Sequence, residues 1–441
     1  MKNISRKGIS FLILSAWLSA SIQPVLAEEN TSTAALSLSQ AMSEAQSQSP
    51  DLKRVQAAQK EASWAPLEAI SSNLPHLGIT ASHLINAKFQ VLDVGPGQQF
   101  ALVAPYSLAS LDFSWTVFDG FRGINAFRAS KKAASAAELE FSRAKFTLDE
   151  TVRLRFYQAL GAQILADVAQ QNVRTLQDHV QKTREILNRG SATKFDLLRV
   201  QVQLEEAQSE KTAADDNVIL ARKNLALAMG MAEDNRPLNG MLPVPDEALL
   251  PADLKADFAE RTDLEALRKR ADAAENLHQA SYGRWIPSLT FTAEKQYYNN
   301  INKDISGPYR DAYAVGVQLS WSVFDGGATL ARNFQTHYQA QQAEAAAESA
   351  TLRAPQEFET FKRRYLYNAT LYRARRRALE MAQESVRLAT LGYNAGTRTS
   401  TDVLDAELDL IRARAGIIRA QVDGSEALIN LELAVGKGLS K

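Results

Sequence analysis

Hydrophobic and polar residues alternate along two short stretches of the chain, and both stretches predict β-strands. Their apolar positions are Leu111, Phe113, Trp115 and Val117 in the first, and Val315, Val317, Leu319, Trp321 and Val323 in the second. The residues between these positions are polar or small. Because successive side chains of a strand point to opposite faces, each stretch predicts a strand with one apolar and one polar face.

Two kinds of sheet contain such strands. One is half of a soluble β-sandwich, and the other is a membrane β-barrel with lipid outside and water inside. Strands of about ten residues suit the barrel. Trp115 and Trp321 stand near one end of the apolar band, and aromatic residues collect where such a band meets the membrane interface. The alternation alone favours the soluble sandwich, but strand length and the position of these two tryptophans shift the prediction to the barrel, with both tryptophans at the interface.

A long helical pattern follows each strand. From Gly120 to Gly190 there are about 70 residues, which correspond to about 100 Å of α-helix and predict a coiled coil. The helix after Gly190 supports this prediction, because its seam positions alternate by four and three, the period of packed helices. They are Val200, Leu204, Ala207, Lys211, Ala214, Val218, Ala221, Leu225 and Ala228. Pro355 predicts a kink or a break in the second long helix.

The chain contains one unit twice. FSWTVFDG at residues 113–120 returns as LSWSVFDG at residues 319–326, with six of eight letters unchanged. The same distance of 206 residues separates Gly190 from Gly396. A spacing held over so much of the chain indicates an internal repeat.

The repeat divides the chain into segments. We expect a first repeat at residues 28–235, a Pro-rich linker at residues 236–251 and a second repeat at residues 252–441. Each repeat is predicted to run helix, strand, strand, long helix, helix. The first helices are expected at about residues 39–71 and 254–282, each ended by a proline.

The N-terminal residues have the pattern of a secretory signal peptide at residues 1–27. Lys2, Arg6 and Lys7 precede an apolar segment, and a small-residue cleavage site ends at Ala27. The apolar segment is too short for a transmembrane helix. We therefore expect the mature protein to leave the cytoplasm.

Composition narrows the function classes. The chain has 441 residues, 50 basic and 50 acidic side chains and no cysteine. Zero net charge gives no electrostatic reason to expect a nucleic-acid partner. The five histidines form no metal-ligand spacing, and neither a nucleotide-binding loop nor a nucleophile elbow is present. We expect no cofactor, no metal and no enzymatic activity.

The number of strands raises a separate question. Two repeats supply four strands, whereas the smallest membrane barrels need about eight. An open sheet edge in lipid leaves backbone groups without hydrogen-bond partners. A membrane sheet of this chain therefore requires several copies, and strand number alone accommodates a dimer as well as a trimer.

Three motifs now carry a resemblance to a known family. They are GTRTSTDVLDAE at residues 396–407, NLPHLGI at residues 73–79, and the two VFDG segments. With the repeated element order, they make the chain resemble the TolC family of outer-membrane channel proteins over nearly its whole mature length. The resemblance implies a mainly α fold with a membrane β-barrel. Three chains would close a 12-stranded barrel and form a coiled-coil α-helical tunnel.

The resemblance also implies a function and a location. The implied protein is a passive homotrimeric exit channel in the outer membrane of a Gram-negative bacterium, extending into the periplasm. Its cargo would be that of type I protein secretion, multidrug efflux or both. Its implied partners are outer-membrane lipid, a periplasmic adaptor (membrane fusion) protein and an inner-membrane ABC or RND-type transporter, which would supply the energy.

Seven positions take roles from the resemblance. They are Asp402 and Asp405 as a ring at the periplasmic entrance, Asp196, Tyr393 and Arg398 as links that hold the entrance shut, and Gly190 and Gly396 at the helix tips that contact the adaptor. Some of these positions also have a structural interpretation. The two glycines can end helices in the left-handed conformation, and Asp196 and Asp402 fit a capping box. Capping does not require Asp405, whose counterpart in the first repeat is Arg199.

One alternative from another class stays open at this point. A periplasmic coiled-coil interaction or scaffold protein with a small soluble β-domain would have the same heptads and the same strand alternation.

Overall fold

The computed structural model describes residues 35–85, 91–93, 95–96, 99–101, 105–190, 192–250, 258–300 and 310–439. The predicted signal peptide, residues 1–27, lies outside the described residues, and so does Pro251 at the end of the predicted linker. Within the described part, the helices are α1 (Leu38–Gln48), α2 (Pro50–Ser71), α3 (Arg122–Asn188), α4 (Lys194–Ala228), α5 (Thr262–Tyr282), α6 (Ala328–Asn394) and α7 (Ser400–Val435). The strands are β1 (Leu36–Ser37), β2 (His76–His83), β3 (Val91–Asp93), β4 (Gln99–Ala101), β5 (Pro105–Phe118), β6 (Leu238–Asn239), β7 (Ser288–Asn300) and β8 (Arg310–Ser320).

Four strands form the main sheet, in the order β2-β5-β7-β8, and all neighbours are antiparallel. Its register places apolar residues opposite one another, as in the row Leu77, Phe113, Ala293 and Val315. Polar rows alternate with these rows. The predicted two-faced strands are therefore present, although β8 ends at Ser320 and leaves the other predicted positions, Trp321 and Val323, beyond the strand.

The first helical region differs from the prediction. One helix was expected at residues 39–71, but α1 ends at Gln48 and α2 begins at Pro50. The Ser49 side chain accepts a hydrogen bond from the Leu52 N–H, and Pro50 stands at the first helical position, where its missing N–H has no cost. In the second repeat the helix was expected from residue 254, but α5 begins at Thr262.

The two long helices have 67 residues each and confirm the predicted lengths. An aspartate stabilises the first turn of each one. Asp119 accepts a hydrogen bond from the Gly123 N–H at 2.6 Å, and Asp325 accepts one from the Thr329 N–H at 2.9 Å. These bonds satisfy N–H groups that lack partners within a helix.

Pro355 does not break α6, so that part of the prediction was wrong. Proline removes one backbone donor and crowds the preceding turn. The helix continues because its neighbours on either side are packed: Ala354 is fully buried, and Phe358 is 2% exposed. Packing of this face outweighs the lost hydrogen bond, since most helical stability in proteins comes from tertiary contacts.

The core lies between the long helices. In its central part Val152, Phe156, Leu225, Met229 and Ile418 join α3, α4 and α7. The seam predicted along α4 is confirmed, because every one of its positions is buried or half-buried, while the residues between are mostly exposed. Within the described residues, no helix has an 18-residue stretch apolar enough to cross a membrane.

Candidate functional site

Two helical hairpins end in similar tips, one between α3 and α4 and one between α6 and α7. Each contains a glycine with a positive φ, +78° at Gly190 and +73° at Gly396. The Gly396 N–H donates to the Tyr393 carbonyl at 3.0 Å, and the Gly190 N–H donates to the Leu187 carbonyl at 2.9 Å. Glycine adopts this left-handed conformation without a Cβ clash. The two tips therefore have the same turn.

The helix that leaves each tip begins with a capping box. In the first tip, the Thr193 N–H donates to Asp196 Oδ2 at 2.9 Å, and the Asp196 N–H donates to Thr193 Oγ1 at 3.2 Å. In the second, the Thr399 N–H donates to Asp402 Oδ2 at 2.8 Å, and the Asp402 N–H donates to Thr399 Oγ1 at 3.2 Å. Both aspartates therefore have a structural role in the single chain.

These bonds also favour the charged form of the two carboxyls. The Thr193 hydroxyl and N–H hold the pKa of Asp196 below its usual range, with Arg199 adding to the effect. The Thr399 N–H and hydroxyl lower the pKa of Asp402 in the same way, with Arg398 adding to the effect. Hydrogen bonds to a carboxylate stabilise its ionised form. Each tip therefore carries an ionised aspartate at neutral pH.

Asp405 does not take part in the cap. Its Oδ1 lies 3.5 Å from Nη2 of Arg199, in an ion pair that reaches from α7 to α4. Arg199 and Asp405 are also the corresponding positions of the two repeats, 206 residues apart. The pair therefore joins the repeats at their tips and opposes the charge of Asp405.

Tyr393 and Arg398 lie beside the second tip. The Tyr393 side chain is 40% exposed. The Arg398 N–H donates to the Gly392 carbonyl at 3.2 Å, and the Arg398 side chain crosses Gly392 so closely that a Cβ there would lie 2.8 Å from its Cγ. Within the described part of one chain, neither side chain forms a hydrogen bond or ion pair with Asp196. A link to Asp196 stays a prediction.

A further contact near the tips was not predicted from the sequence. His179 of α3 and Glu407 of α7 lie 2.6 Å apart, between Nε2 and Oε2. Their side chains are 14% and 25% exposed. Below them, Leu176, Val180 and Leu404 belong to an apolar cluster of α3, α4 and α7. Glu407 ends the GTRTSTDVLDAE motif, but no feature of the sequence identifies its partner.

The two predicted interface tryptophans lie at the opposite end, where the sheet meets the helices. The Trp115 indole N–H donates to the Asn73 carbonyl at 3.0 Å, and the Trp321 indole N–H donates to the Trp285 carbonyl at 3.2 Å. Both rings are exposed, at 40% and 57%. Each ring therefore presents an apolar surface, while its only polar group is satisfied by backbone.

The sequence matches the outer membrane efflux protein family over residues 41–231 and 257–437. The chain belongs to the outer membrane efflux protein family. Among the relatives of this efflux protein is the outer membrane protein TolC of Vibrio cholerae, 23% identical over 416 residues, which are 90% of this chain and 90% of the relative. Another is the alkaline protease secretion protein AprF of Pseudomonas aeruginosa, 25% identical over 342 residues, 75% of this chain and 69% of the relative.

Solved structures agree with the fold of this efflux protein. The outer membrane protein VceC of Vibrio cholerae superposes with a TM-score of 0.74 at 19% sequence identity, covering 91% of this chain and 97% of that chain. The family resemblance expected from the motifs is thereby confirmed. Members of the family are outer-membrane channel proteins rather than enzymes, which places the chain in the Gram-negative outer membrane and counts against the periplasmic scaffold.

Proposed function

We propose that three copies of the chain form a passive exit duct through the outer membrane, the last part of a tripartite export system. The observation that carries the proposal is the main sheet. Its apolar face is exposed, with Ile79 at 80% and Val315 at 64%, and within the described residues the edge strands β2 and β8 have no neighbour on their outer sides. In a bilayer such a sheet requires closed edges and lipid against its apolar face.

Several copies of the chain would meet both requirements. Edge β8 of one copy pairs with edge β2 of the next, and three copies give twelve strands. The apolar face then meets lipid, and the polar face, which includes Ser114 and Thr292 in one row, meets water. The exposed rings of Trp115 and Trp321 lie at one end of the apolar band, where aromatic residues anchor barrels at the interface.

The helices also have surfaces that suit a second copy. Leu227 is 75% exposed and Leu352 is 71% exposed. Leu227 lines a cavity of about 1050 Å³, together with Leu52, Val55 and Leu267. Exposed apolar surface of this kind marks contacts with other chains. Neighbouring copies would cover it and bring the long helices together as a periplasmic tunnel.

The tips form the proposed entrance of the tunnel. Under three-fold symmetry, Asp402 and Asp405 form a ring of carboxylates that attracts cations. Oδ2 of Asp402 binds the helix cap, and Oδ1 has no hydrogen-bond partner among the described residues. We add Arg199 to the proposed ring, since it is paired with Asp405 in the single chain.

Tyr393 and Arg398 are proposed to hold the entrance shut by hydrogen bonds to Asp196. In this proposal, Asp196 of one chain accepts the bonds from Tyr393 and Arg398 of a neighbouring chain. This arrangement agrees with the exposure of Tyr393 and with the absence of such a bond within the described part of one chain. The link has to break for opening. The glycine turns at Gly190 and Gly396 are the proposed contact points of a periplasmic adaptor.

The proposed partners follow from the family. An adaptor and an inner-membrane transporter of the ABC or RND type would open the duct and supply energy. The name of the relative AprF, an alkaline protease secretion protein, supports protein cargo and type I secretion. The family name supports efflux of smaller molecules.

The duct and its closure are tested with the full chain purified from outer membranes. Light scattering coupled to size exclusion should give three chains per particle, and the particle should conduct in planar bilayers. Arg398→Ser combined with Tyr393→Phe should raise single-channel conductance. Arg376→Ser is the control, because Arg376 is exposed on the same helix and pairs with Glu380 at 3.4 Å. Monomeric particles without conductance would refute the duct, and unchanged conductance of the double variant would refute the closure.

A further inference from the structure

A basic cavity lies where the sheet meets the helices. Its volume is about 460 Å³, and its lining includes three arginines, Arg122, Arg284 and Arg332. Arg122 begins α3, Arg284 lies between α5 and β7, and Arg332 lies in the second turn of α6. The arginines therefore come from both repeats and meet at one place.

Close contacts between these elements hold the three arginines near one another. Gly120 and Gly283 are in such close contact that a Cβ on Gly283 would lie 2.4 Å from the Gly120 carbonyl oxygen and 2.5 Å from Cγ of Arg122. The Arg122 side chain thus runs across Gly283, next to Arg284. On the other side, Asn333 Nδ2 donates to Ser281 Oγ at 2.9 Å and fixes α6 against α5 beside Arg332.

The three arginines are exposed to solvent, and few protein groups in the cavity offset their charge. Arg122 Nε donates to the backbone carbonyl of Asp119 at 3.0 Å. Within the described residues, the guanidinium groups of Arg284 and Arg332 have no hydrogen bond or ion pair. The cavity contains one carboxylate, that of Asp119, which is buried and accepts the Gly123 N–H at 2.6 Å. Three guanidinium groups thus face one carboxylate that is already engaged.

The cavity opens on the polar side of the sheet. Among the described residues, the one strand residue in its lining is Thr116, which lies opposite Thr290 in a polar row. Trp115 is the adjacent residue of the same strand and faces the other way, on the apolar side. The other acidic residues of the polar face, Asp112 and Glu294, lie four positions up the strand. That distance is about 13 Å, more than a Debye length at physiological salt.

We propose that Arg122, Arg284 and Arg332 form an anion-binding site that takes the carboxylate or phosphate group of a soluble solute on the water-facing side of this junction. Guanidinium groups bind both kinds of anion through paired hydrogen bonds. A lipid headgroup offers the same phosphate chemistry, but lipid belongs to the opposite, apolar side of the sheet. The placement in a lumen rests on the proposed duct, in which three copies would bring nine arginines to one level.

Binding is tested with inorganic pyrophosphate and the purified full chain, by isothermal titration calorimetry at low salt. The double variant Arg284→Gln with Arg332→Gln should bind pyrophosphate at least about tenfold more weakly, since each removed charge near the anion contributes a factor of several. The control is Arg376→Gln, which removes an exposed arginine elsewhere on α6 and should leave binding unchanged. Equal binding by the wild type and the double variant would overturn the site.

Two further measurements are needed. The first distinguishes a soluble anion from a lipid headgroup as the ligand, and the second distinguishes failure of the anion site from failure of the proposed duct. If the double variant loses binding to phosphatidylglycerol vesicles but keeps pyrophosphate binding, the site is a lipid site and the proposal is wrong. In planar bilayers, the double variant should shift the reversal potential in a salt gradient toward cation selectivity. Conducting channels with unaltered pyrophosphate binding contradict the anion site alone, whereas altered binding in particles that never conduct contradicts the duct and leaves the site in place.

Discussion

Replacing Arg199 by Gln is expected to change the electrostatics of the entrance far more than the stability of the fold. At 3.5 Å, the distance between Arg199 Nη2 and Asp405 Oδ1, two unit charges in water attract by about 1.2 kcal/mol. The two side chains are 44% and 55% exposed, so screening and side-chain entropy reduce the net contribution to about 0.2–1 kcal/mol. The melting temperature should fall by about 2 °C or less.

The charge of the proposed ring changes by much more. Three copies of Asp402, Asp405 and Arg199 carry a net charge of about −3 at neutral pH, because six carboxylates face three guanidinium groups. Arg199→Gln makes it about −6, Asp405→Asn makes it about 0, and the two changes together return it to about −3. A trivalent cation several ångströms from these groups senses each change by somewhat less than 1 kcal/mol after salt screening.

The assay is block of single channels by hexaamminecobalt(III) in planar bilayers. We expect Arg199→Gln to lower the blocking concentration about tenfold or more and Asp405→Asn to raise it by a similar factor, since three equivalent sites act together. The double variant should return close to wild type. Two results would show that Arg199 and Asp405 do not face the conducting path. One is an unchanged blocking concentration in Asp405→Asn, and the other is a blocking concentration in the double variant that differs from the wild-type value.

Three further outcomes are expected. Gly396→Ala should destabilise the second tip by about 1–2 kcal/mol, because the residue has a φ of +73°. The control is Gly438→Ala, which should be nearly neutral because Gly438 also lies in open space but has no positive φ. Thermal unfolding compares the stability of the two variants. Phe156→Ala should cost about 3–5 kcal/mol, measured as a large fall in melting temperature, since the ring is 1% exposed in the central core. The Thr399 N–H and hydroxyl hold the pKa of Asp402 below its usual range, so the cap is stabilised above the ordinary carboxyl pKa of about 4 and loses this stabilisation as the pH falls through the lowered value. Hydrogen exchange at the start of α7, corrected for intrinsic rates, should therefore increase in acid, and Asp402→Asn should remove that dependence.

The long helices and the sheet were predictable because their own residues specify them. Strand alternation and the seam along α4 are properties of one segment, and the structure has both. The break at Ser49 and Pro50 was missed although a capping residue followed by proline is a local signal for a helix start. Pro355 was misjudged because the local signal is opposed by packing around Phe358, which the sequence does not reveal.

The contacts at the tips could not be predicted from local sequence patterns. Arg199 and Asp405 are 206 residues apart, and His179 and Glu407 are 228 apart, so neither pair follows from local pattern. The helical tips themselves were located by glycines and capping boxes, which are short-range features. The partners of the charged groups depend on how α3, α4 and α7 pack, and this is decided by apolar residues elsewhere along the helices.

The divergence of the two repeats at Arg199 and Asp405 has a physical reason in their contact. Corresponding positions of a repeated unit meet only where the two units approach each other symmetrically. Two identical charged residues at such a place would repel each other. The two repeats therefore cannot both have the same charged residue there without a loss of stability. An arginine in the first repeat and an aspartate in the second replace that repulsion by an ion pair at 3.5 Å. The same change leaves the first tip with Asp196 and the second with two aspartates, so only the second tip would supply a double ring of acids in the proposed trimer. In the proposed duct, this asymmetry between the repeats turns two similar helix ends into one charged entrance.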